Sequence, residues 1–494
     1  MPKPAGSQPR FQPRDLLKQV MIQHLALAPD GSSIVYSRRT IEDNRYRSRV
    51  WRVGYEGGRA EKLTTAAASD SRPRFSPDGR RLLFLSDRSG SSQPWVLPLS
   101  GGEPQQAATL EGGVRAAEWA PDGRRIALIA PSGEQRFVVG DKKDPVARRI
   151  TAMNWRMDGA GMRDQFNSAW VGTVGGRRVR RVTEPSFEVT QVFWTPDGRV
   201  GFLADQRPDA DLLEEEQAYS IPASGGQSRR LAALDGAILV AAFSPGGKLI
   251  VVGDDHKWTP EWSNFGLFLI GRGEHRRLGD GLELPVATTS YGDLIDPDSF
   301  VSDIGGWLDD DNLVALVSVR GRSLPYRFGL DGSCEPLAEG EFVCTACAVA
   351  KGRVIVVANQ GGNAAEVYAV EDGLLRPLAL TEAAGSSPGD ETLNRWRSPT
   401  PTATQSTRGW CLRKAGATTV LWFSRSTAGP MPAMGPPRGS RCWRWPTQAF
   451  MSCTRIHAAH SPTERSSPAP CMDAGATPMA QISLRSLTGP STRA

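Results

Sequence analysis

The amino-acid sequence predicts an all-β protein in which residues 20–384 form a seven-bladed β-propeller. The main observation is a repeated phrase: an apolar residue, then a Pro-Asp-Gly turn, then a β-rich apolar run. A Gly-rich turn closes each unit, and helical periodicity is almost absent, which favours strands over helices. The phrase occurs at residues 27–31, 75–79, 119–123 and 194–198, and in degraded form at 243–247.

Each copy of the phrase has the chemistry of a hairpin turn. In the first copy, Pro29 presets φ, Asp30 can bond the local backbone, and Gly31 can take a positive φ. Successive copies are roughly 40 to 75 residues apart, and periods near 40 to 50 residues are typical of arrays and propellers. The repeated phrase therefore predicts a ring of similar β-units.

The closing turns extend the repeat beyond the phrase itself. Gly57-Gly58 and Gly101-Gly102 close the first two units, and later pairs occur at 175–176 and 225–226. A sixth unit is predicted around residues 306–314, and a seventh begins at 349–357. Seven four-stranded blades would fill residues 20–384, and a closed ring would protect the edges of its sheets.

Charge and composition are uneven along the chain. The whole sequence carries a net charge of +6, yet residues 385–494 carry 13 basic and 4 acidic residues, so the first 384 residues are slightly acidic. The pI of 9.0 therefore reflects the tail, and we expect no nucleic-acid partner.

Residues 1–19 form a polar N-terminal extension without the apolar core of a signal peptide, and no stretch is long enough to span a membrane. The seven cysteines form no visible disulfide framework. These features predict a cytoplasmic location without membrane association.

The tail from Gly385 to Ala494 fits neither a globular nor a disordered composition. It holds 13 Pro and five of the fourteen Trp, and its apolar residues show no period. A reading frame displaced by two bases accounts for this composition. In that frame residues 425–436 can be read as a string containing H-G-G-P, and residues 455–480 as one beginning N-P-R-G-S-Q-S-Y-G.

These strings resemble the catalytic domain of the prolyl oligopeptidase family of serine peptidases, in its acylaminoacyl-peptidase branch. In frame, Asp15-Leu16-Leu17 and residues 28–31 and 42–48 resemble the start of the family's propeller. Residues 409–414 resemble the strand that opens its α/β-hydrolase domain. The resemblance implies a hydrolase of short or N-acylated peptides, with a propeller that restricts entry of substrates.

The same resemblance predicts that this chain is inactive. The family's reaction needs a Ser on a G-x-S-x-G elbow downstream of these strings, with Asp and His partners. The sequence matches G-x-S-x-G only at residues 385–389, ahead of both strings, and nowhere after them. None of the histidines matches the family's catalytic His; they are His24, His256, His275, His457 and His460. We therefore predict no catalytic, cofactor-binding or metal-binding residues, and no cofactor. We expect the tail to pack little core, with a strand around Trp410–Lys414 as the exception.

Four other motifs have a structural explanation that we prefer. We interpret Asp309–Asn312 and Asp254–His256 as turns rather than metal sites, and Asp209–Glu216 as an acidic loop inside the fourth blade. Cys344 and Cys347 form a C-x-x-C without a second pair, which favours buried structural cysteines over zinc ligands. The alternative to a peptidase is a stand-alone TolB-like propeller that serves as a protein-binding module. The oligomeric state is not predicted.

Overall fold

The structure is a computed structural model. It describes residues 13–379, except positions 66, 134–149, 151–152, 154, 158–160, 163, 177, 213–214, 257–263, 272–273, 280, 288–303 and 361–364. Beyond residue 379 it describes the backbone of three strands within 393–423. Contacts divide the chain into two units, Met1–Asp390 and Glu391–Ala494. The predicted boundary between residues 384 and 385 lies outside the described residues and stays a prediction.

The first unit is a ring of seven four-stranded antiparallel blades, which confirms the predicted fold class. A 3₁₀ helix, Pro13–Lys18, precedes it. Blades 1 and 2 are β1 (Met21–Leu27), β2 (Ser33–Glu42), β3 (Arg45–Gly54) and β4 (Glu61–Lys62), then β5 (Asp70–Phe75), β6 (Arg81–Ser86), β7 (Gln93–Pro98) and β8 (Gln105–Gln106). Blade 3 is β9 (Ala116–Trp119), β10 (Arg125–Ser132), β13 (Phe166–Thr173) and β14 (Val179–Arg181), with the small hairpin β11 (Arg156–Met157) and β12 (Gly161–Met162) inserted after β10.

The remaining four blades follow the same order from inner to outer strand. Blades 4 and 5 are β15 (Val189–Trp194), β16 (Val200–Ala204), β17 (Gln217–Ile221) and β18 (Arg229–Ala232), then β19 (Ile238–Phe243), β20 (Leu249–Gly253), β21 (Gly266–Gly271) and β22 (Glu274–Leu278). Blades 6 and 7 are β23 (Ile304–Trp307), β24 (Asn312–Val319), β25 (Arg322–Gly329) and β26 (Cys334–Pro336), then β27 (Phe342–Ala350), β28 (Arg353–Gln360), β29 (Glu366–Glu371) and β30 (Leu374–Ala379).

The repeated phrase forms the turn between the first and second strands, as its chemistry predicts. In blade 1, Asp30 Oδ1 accepts hydrogen bonds from the Ser32 amide at 2.9 Å and the Ser32 hydroxyl at 2.7 Å, while Gly31 has φ +75°. In blade 3, Asp122 Oδ1 accepts from the Arg124 amide at 2.8 Å. The carboxylate thus satisfies backbone donors that would otherwise face water, and the turn fixes the register of the two strands.

The hydrophobic core lies between neighbouring blades, because each second strand is buried on both of its faces. In blade 2 the strand residues Leu82, Leu83 and Phe84 are all fully buried. Blades 1 and 7 share one cluster that includes Ile34 and Val367, so the last blade packs directly on the first. A single blade could not bury both faces, and the ring is what makes the sheets stable.

The ring closes without exchanging a strand, since blades 1 and 7 are each built from one continuous segment. The seam is held by side chains instead. Arg353 Nη1 donates to the carbonyl oxygen of Gly31 at 2.8 Å, and its guanidinium lies 3.9 Å from the centre of the Tyr55 ring. Arg376 Nη2 donates to the Tyr55 carbonyl oxygen at 3.1 Å.

The Arg353 contact repeats a device used between other blades. Arg81 in blade 2 stacks 4.9 Å from the ring of Trp119 and donates to the Gly123 carbonyl of blade 3 at 2.6 Å. Arg125 in blade 3 stacks 4.9 Å from the ring of Trp194 in blade 4. Each arginine is the first residue of the second strand in its blade and directly precedes the first buried residue of that strand. The repeated sequence therefore builds a repeated contact between neighbouring blades, which we call the inter-blade clamp.

The antiparallel order of the strands gives the ring two different faces. We call the side with the Pro-Asp-Gly turns the turn face, and the opposite side the loop face. Between the described strands, no connection on the turn face exceeds about seven residues, in keeping with short hairpin turns. The loop face carries the connections 133–165, 205–216, 254–265 and 279–303. β1 begins and β30 ends at the loop face.

The second unit contains a three-stranded antiparallel sheet, β31 (Leu393–Arg397), β32 (Arg408–Lys414) and β33 (Ala417–Phe423). The strand predicted at Trp410–Lys414 is confirmed by β32. The segments interpreted as frame-displaced, 425–436 and 455–480, lie outside the described residues. Among the described residues, the structure shows no helical span with the length and apolar character that crossing a bilayer requires.

Candidate binding site on the channel wall of blades 1 and 2

The innermost strand of a blade borders the central channel, and six of the seven described inner strands carry a β-bulge. A bulge adds one residue to one strand and locally re-aims its side chains. In blades 4 to 7 the extra residues are small or uncharged: Thr190, Leu239, Gly305 and Thr345. Blades 1 and 2 are different, because their bulges contain His24 and Arg72.

The backbone of these two bulge residues is also unusual. His24 has φ +51° and Arg72 has φ +52°. Among the described residues, every other non-glycine with positive φ sits in a two-residue hairpin turn. A non-glycine residue held in the left-handed region outside a turn is strained, and such strain is concentrated at functional sites. The two positions therefore mark blades 1 and 2 as the chemically specialised part of the channel wall.

Charge is concentrated around His24. Burial lowers the pKa of His24 well below its ordinary value, and the positive charges of Arg72, Arg74 and Arg39 lower it further. The imidazole is consequently neutral near pH 7. Arg74 is paired with Glu118 of blade 3, whose Oε1 lies 3.1 Å from its Nε. The positive charges of three arginines thus act on a neutral imidazole, and Glu118 pairs with one of the three.

Blade 1 also holds buried polar atoms that no described group satisfies. Gln23 is 5% exposed, and its Nε2 has no hydrogen-bond partner among the described residues. The same holds there for Nδ1 of His24 and for the hydroxyl of Ser37, the residue paired with Gln23 across the β1–β2 ladder. Buried donors without partners are costly, and a cluster of them indicates water or a ligand.

The surroundings of the cluster are well anchored. Next to Arg72, Asp70 is fully buried and accepts from Arg88 Nη2 at 2.9 Å. The Trp119 indole donates to the carbonyl oxygen of Arg74 at 3.1 Å, which ties the inner strand of blade 2 to blade 3. The inner strand of blade 2 is therefore anchored by a buried ion pair and by a hydrogen bond to blade 3.

The arrangement can bind and orient a ligand but supplies no nucleophile. Guanidinium groups and amide N–H donors recognise carboxylates through charge-assisted hydrogen bonds. In the described residues, no serine or cysteine contacts His24 in a way that would make the imidazole a general base. We therefore regard the wall as a binding surface.

The motifs interpreted as structural occupy structural positions. Asp309 Oδ1 accepts from the amides of Asp311 and Asn312 at 2.9 and 2.8 Å, which makes the acidic run a closed turn. Cys344 and Cys347 are buried in β27, as predicted.

The Asp254–His256 segment is the one group of potential metal ligands near one another in the part of the chain that is described. Asp254 Oδ1 accepts from the His256 amide at 2.9 Å, so this carboxylate closes a turn, as we interpreted it. In the acidic loop of blade 4, Arg207 pairs with Asp205 and with Glu215, each at 2.6 Å. His275 packs against Phe268, with ring centres 5.7 Å apart, whereas His457 and His460 lie outside the described residues.

Sequence reasoning assigned no role to His24, Arg72 or Gln23. A lone histidine in a strand carries no functional signal, and a bulge has no reliable sequence signature here. The one available hint was the Arg72-Pro73-Arg74 segment, since proline within a strand indicates an edge or a bulge.

Comparisons with known proteins agree with the geometry. Residues 18–158 match the TolB beta propeller domain family. An uncharacterized peptidase, YuxL, from Bacillus subtilis is 32% identical over 80 residues, which cover 16% of this chain and 12% of that protein.

Solved structures share the fold at low identity. The acylaminoacyl peptidase of Pyrococcus horikoshii superposes with a TM-score of 0.64 at 18% identity, covering 80% of this chain and 58% of that one. An acylaminoacyl peptidase in complex with Z-Gly-Gly-Phe-chloromethyl ketone gives 0.64 at 18% identity, covering 81% and 59%. The propeller domain of the Trilobed protease from Pyrococcus furiosus, described as having an open velcro topology, gives 0.53 at 14% identity, covering 74% and 98%.

The chain thus spans less than two thirds of the length of these acylaminoacyl peptidases but nearly all of an isolated propeller domain. The ring without strand exchange agrees with the open topology named for the latter. The resemblance seen in the sequence is confirmed at the level of fold. Residues 18–158 match the TolB beta propeller domain family, and the chain shares the fold of solved acylaminoacyl peptidases and prolyl endopeptidases.

Proposed function

We propose that this chain is the substrate-admitting propeller of an acylaminoacyl-peptidase-like serine peptidase, whose parent enzyme hydrolyses short or N-acylated peptides in the cytoplasm. The observation that carries the proposal is the specialised channel wall of blades 1 and 2 in a propeller of the acylaminoacyl-peptidase fold. Peptides are the substrates implied by the names of the relatives. The three free cysteines among the described residues suit a reducing compartment.

In this proposal the propeller selects substrates by size. A central channel bordered by seven inner strands admits a short extended peptide more readily than a folded protein. The clamps on the turn face keep the ring closed, so selection would depend on the channel rather than on separation of the blades.

We further propose that these 494 residues do not catalyse hydrolysis. Acyl transfer by a serine peptidase needs an activated Ser on a strained elbow. The one G-x-S-x-G match in the sequence, residues 385–389, lies ahead of the segments 425–436 and 455–480, whereas the family's elbow follows them. We interpret residues 385–494 as the frame-displaced start of an α/β-hydrolase domain.

A fluorophosphonate probe and acyl-amino-acid anilides test the catalytic part of this proposal. The chain should neither be labelled nor release the anilide. A version with the frame restored from codon 385, extended through an elbow motif, should gain both properties. Labelling of the unaltered chain would show that a nucleophile has been overlooked and would refute the frame-displacement interpretation.

A second candidate function is a stand-alone protein-binding module, which the match of residues 18–158 to the TolB propeller family favours. Fluorescence anisotropy with labelled short peptides separates the two. Binding of tetrapeptides at the channel supports the peptidase-derived function, whereas binding of folded proteins without binding of tetrapeptides supports the module.

A further inference from the structure

The outer rim of blades 3 and 4 carries a concentrated positive charge. The outermost strands of these blades, β14 and β18, hold or directly adjoin five exposed arginines, which are Arg178, Arg180, Arg181, Arg229 and Arg230. We call this part of the rim the arginine sector. The outer strands of blades 1 and 2 are instead Glu61-Lys62 and Gln105-Gln106, and that of blade 6 is Cys334–Pro336.

The arginine sector is poorly neutralised by the protein itself. Arg229 lies 3.4 Å from Asp197, but both side chains are more than half exposed, and an ion pair of that kind contributes little. Within the described residues, Arg178, Arg181 and Arg230 have no carboxylate partner. The sector therefore keeps most of its positive charge.

Two of the arginines reach the same gap between the blades. Arg180 is paired with Val171, and Arg230 with Tyr219; both partners pack in the core cluster shared by blades 3 and 4. Residues directly opposite each other in an antiparallel pair share a face of the sheet. Arg180 Nη1 also donates to the Ser224 carbonyl oxygen of blade 4 at 2.6 Å. Arg180 and Arg230 thus border the outer mouth of one gap, from its two sides.

Protection of a sheet edge does not account for this charge. β14 and β18 are the last strands of their sheets, and charged side chains often guard such edges against pairing. The outer strands of blades 2 and 6 have the same position without an arginine. In blades 5 and 7 the arginines of the outer strand are half-buried, and Arg376 is paired with Glu371. An excess of exposed arginine is therefore particular to blades 3 and 4.

We propose that the arginine sector binds an acidic polypeptide segment of a partner protein, whose carboxylates are held by Arg180 and Arg230 at the mouth of the gap. Guanidinium groups bind carboxylates through paired, charge-assisted hydrogen bonds, and a neutral segment would leave the positive charge uncompensated. The sector lies on the outside of the ring, so this inference goes beyond the proposed function and does not depend on entry of peptides into the channel.

A short acidic segment fits the sector better than a nucleic acid does. Nucleic-acid affinity comes from many phosphate contacts along an extended positive surface. Here the first 384 residues hold slightly more acidic than basic residues, and blade 4 carries its own acidic loop, residues 205–216, on the loop face. The positive surface is therefore confined to two strands and matches a few carboxylates.

Fluorescence anisotropy with the full chain tests the proposal. The probes are two octapeptides, (Glu-Thr)4 and (Gln-Thr)4, capped at both ends and labelled with one neutral dye, and an eight-nucleotide oligothymidylate with the same dye. We expect (Glu-Thr)4 to bind about tenfold more tightly than (Gln-Thr)4, with a preference that decreases as salt is added. Arg180→Gln/Arg230→Gln should reduce this preference to about threefold or less.

Arg80→Gln/Arg124→Gln is the matched control, because it removes the same charge from two exposed arginines on the turn face. It should keep the tenfold preference. The excess positive charge of residues 385–494 is the same in all these proteins, so a difference between the two double variants belongs to the arginine sector. Arg230→Gln alone is a second variant that removes no printed contact of Arg180, and it should give an intermediate preference. Circular dichroism verifies that each protein is folded.

Three results would overturn the proposal. The first is equal binding of the two peptides by the folded wild type. The second is an equal preference in the two double variants. The third is an oligothymidylate that binds as tightly as (Glu-Thr)4 and is weakened as much by Arg180→Gln/Arg230→Gln, which would make nucleic acid the ligand of the sector. None of them bears on the channel, where no residue is changed.

Discussion

The two faces of the ring differ in the sequence and length of their connections. On the turn face, the first turns of blades 1 to 4 share the Pro-Asp-Gly pattern, and arginine clamps join blade 2 to 3, blade 3 to 4 and blade 7 to 1. On the loop face, connections range from the two-residue turn at Asp43-Asn44 to the segment 133–165. A repeated sequence thus builds the first turns of blades 1 to 4, whereas the connections on the loop face differ from blade to blade.

This difference shows how a repetitive fold can hold a local site. The clamps and turns fix the ring from one side, so the other side and the channel wall can tolerate bulges, positive φ and unsatisfied polar atoms. An isolated hairpin would not hold the strained, positive-φ backbone of His24 and Arg72. In the ring, neighbouring blades on both sides stabilise it.

The largest effect is expected from removing the clamp at the seam. Arg353→Met deletes the hydrogen bond to Gly31 and the contact with the Tyr55 ring, and we expect a loss of about 2 kcal/mol in the free energy of unfolding. Urea denaturation followed by Trp fluorescence measures it. Lys351→Met is the control, because Lys351 lies in the adjacent turn with its side chain exposed. Equal stability of Arg353→Met and wild type would show that core packing alone closes the ring.

A smaller loss is expected when one tie along the inner wall is removed. Trp119→Phe keeps an aromatic ring beneath Arg81 but cannot donate to the Arg74 carbonyl oxygen. We expect a decrease of about 1 kcal/mol in the free energy of unfolding, the usual value for one buried hydrogen bond. Trp95→Phe is a suitable control, since no acceptor for the Trp95 indole N–H is found among the described residues. An equal effect of the two substitutions would mean that the tie contributes nothing.

A pH-dependent effect of modest size is expected at the channel wall. The pKa of His24 is lowered in the folded state, so below its ordinary pKa of about 6.5 the unfolded chain binds a proton that the folded chain does not. Stability should therefore fall as the pH drops below about 6.5 and be insensitive to His24 above it. Unfolding curves between about pH 5 and 7.5 should show a shallower pH dependence for His24→Asn than for wild type. Parallel curves would refute the buried neutral imidazole.

The smallest effect is expected on the loop face. Asp43 and Asn44 have φ +50° and +58°, the conformation of a type I′ hairpin turn, in which Gly is favoured at the second position. Asn44→Gly should raise the free energy of unfolding by roughly 0.5 kcal/mol or less. Thermal unfolding of Asn44→Gly and Asn44→Ala should shift in opposite directions. A shift of the same sign for both would contradict the turn type.

The fold was predictable because turn signals recur from one blade to the next. Pro29-Asp30-Gly31 and its copies specify a turn by local chemistry, and the buried second strands follow as apolar runs. Blades 6 and 7 lack the Pro-Asp-Gly phrase, yet their spacing and Gly turns were sufficient to predict them. Local signals summed over seven units outweigh the ambiguity of any single strand.

The candidate site was not predictable for the opposite reason. The pattern around His24 reads as an ordinary strand, and only its register against β2 shows the extra residue. The neighbours that give His24 its electrostatic environment, Arg39, Arg72 and Arg74, are brought there by pairing within blade 1 and packing of blade 2. A site created by long-range packing leaves no contiguous motif.

The closure of the ring without strand exchange has a consequence for how the protein folds. Every blade can form from a contiguous stretch of chain as it leaves the ribosome, so nearly all strand pairing has low contact order. The exception is the seam, where Arg353 must find Gly31 across 322 positions of sequence. Blade formation and ring closure are therefore separable kinetic events. Destabilising the seam should accelerate unfolding far more than it slows the formation of individual blades.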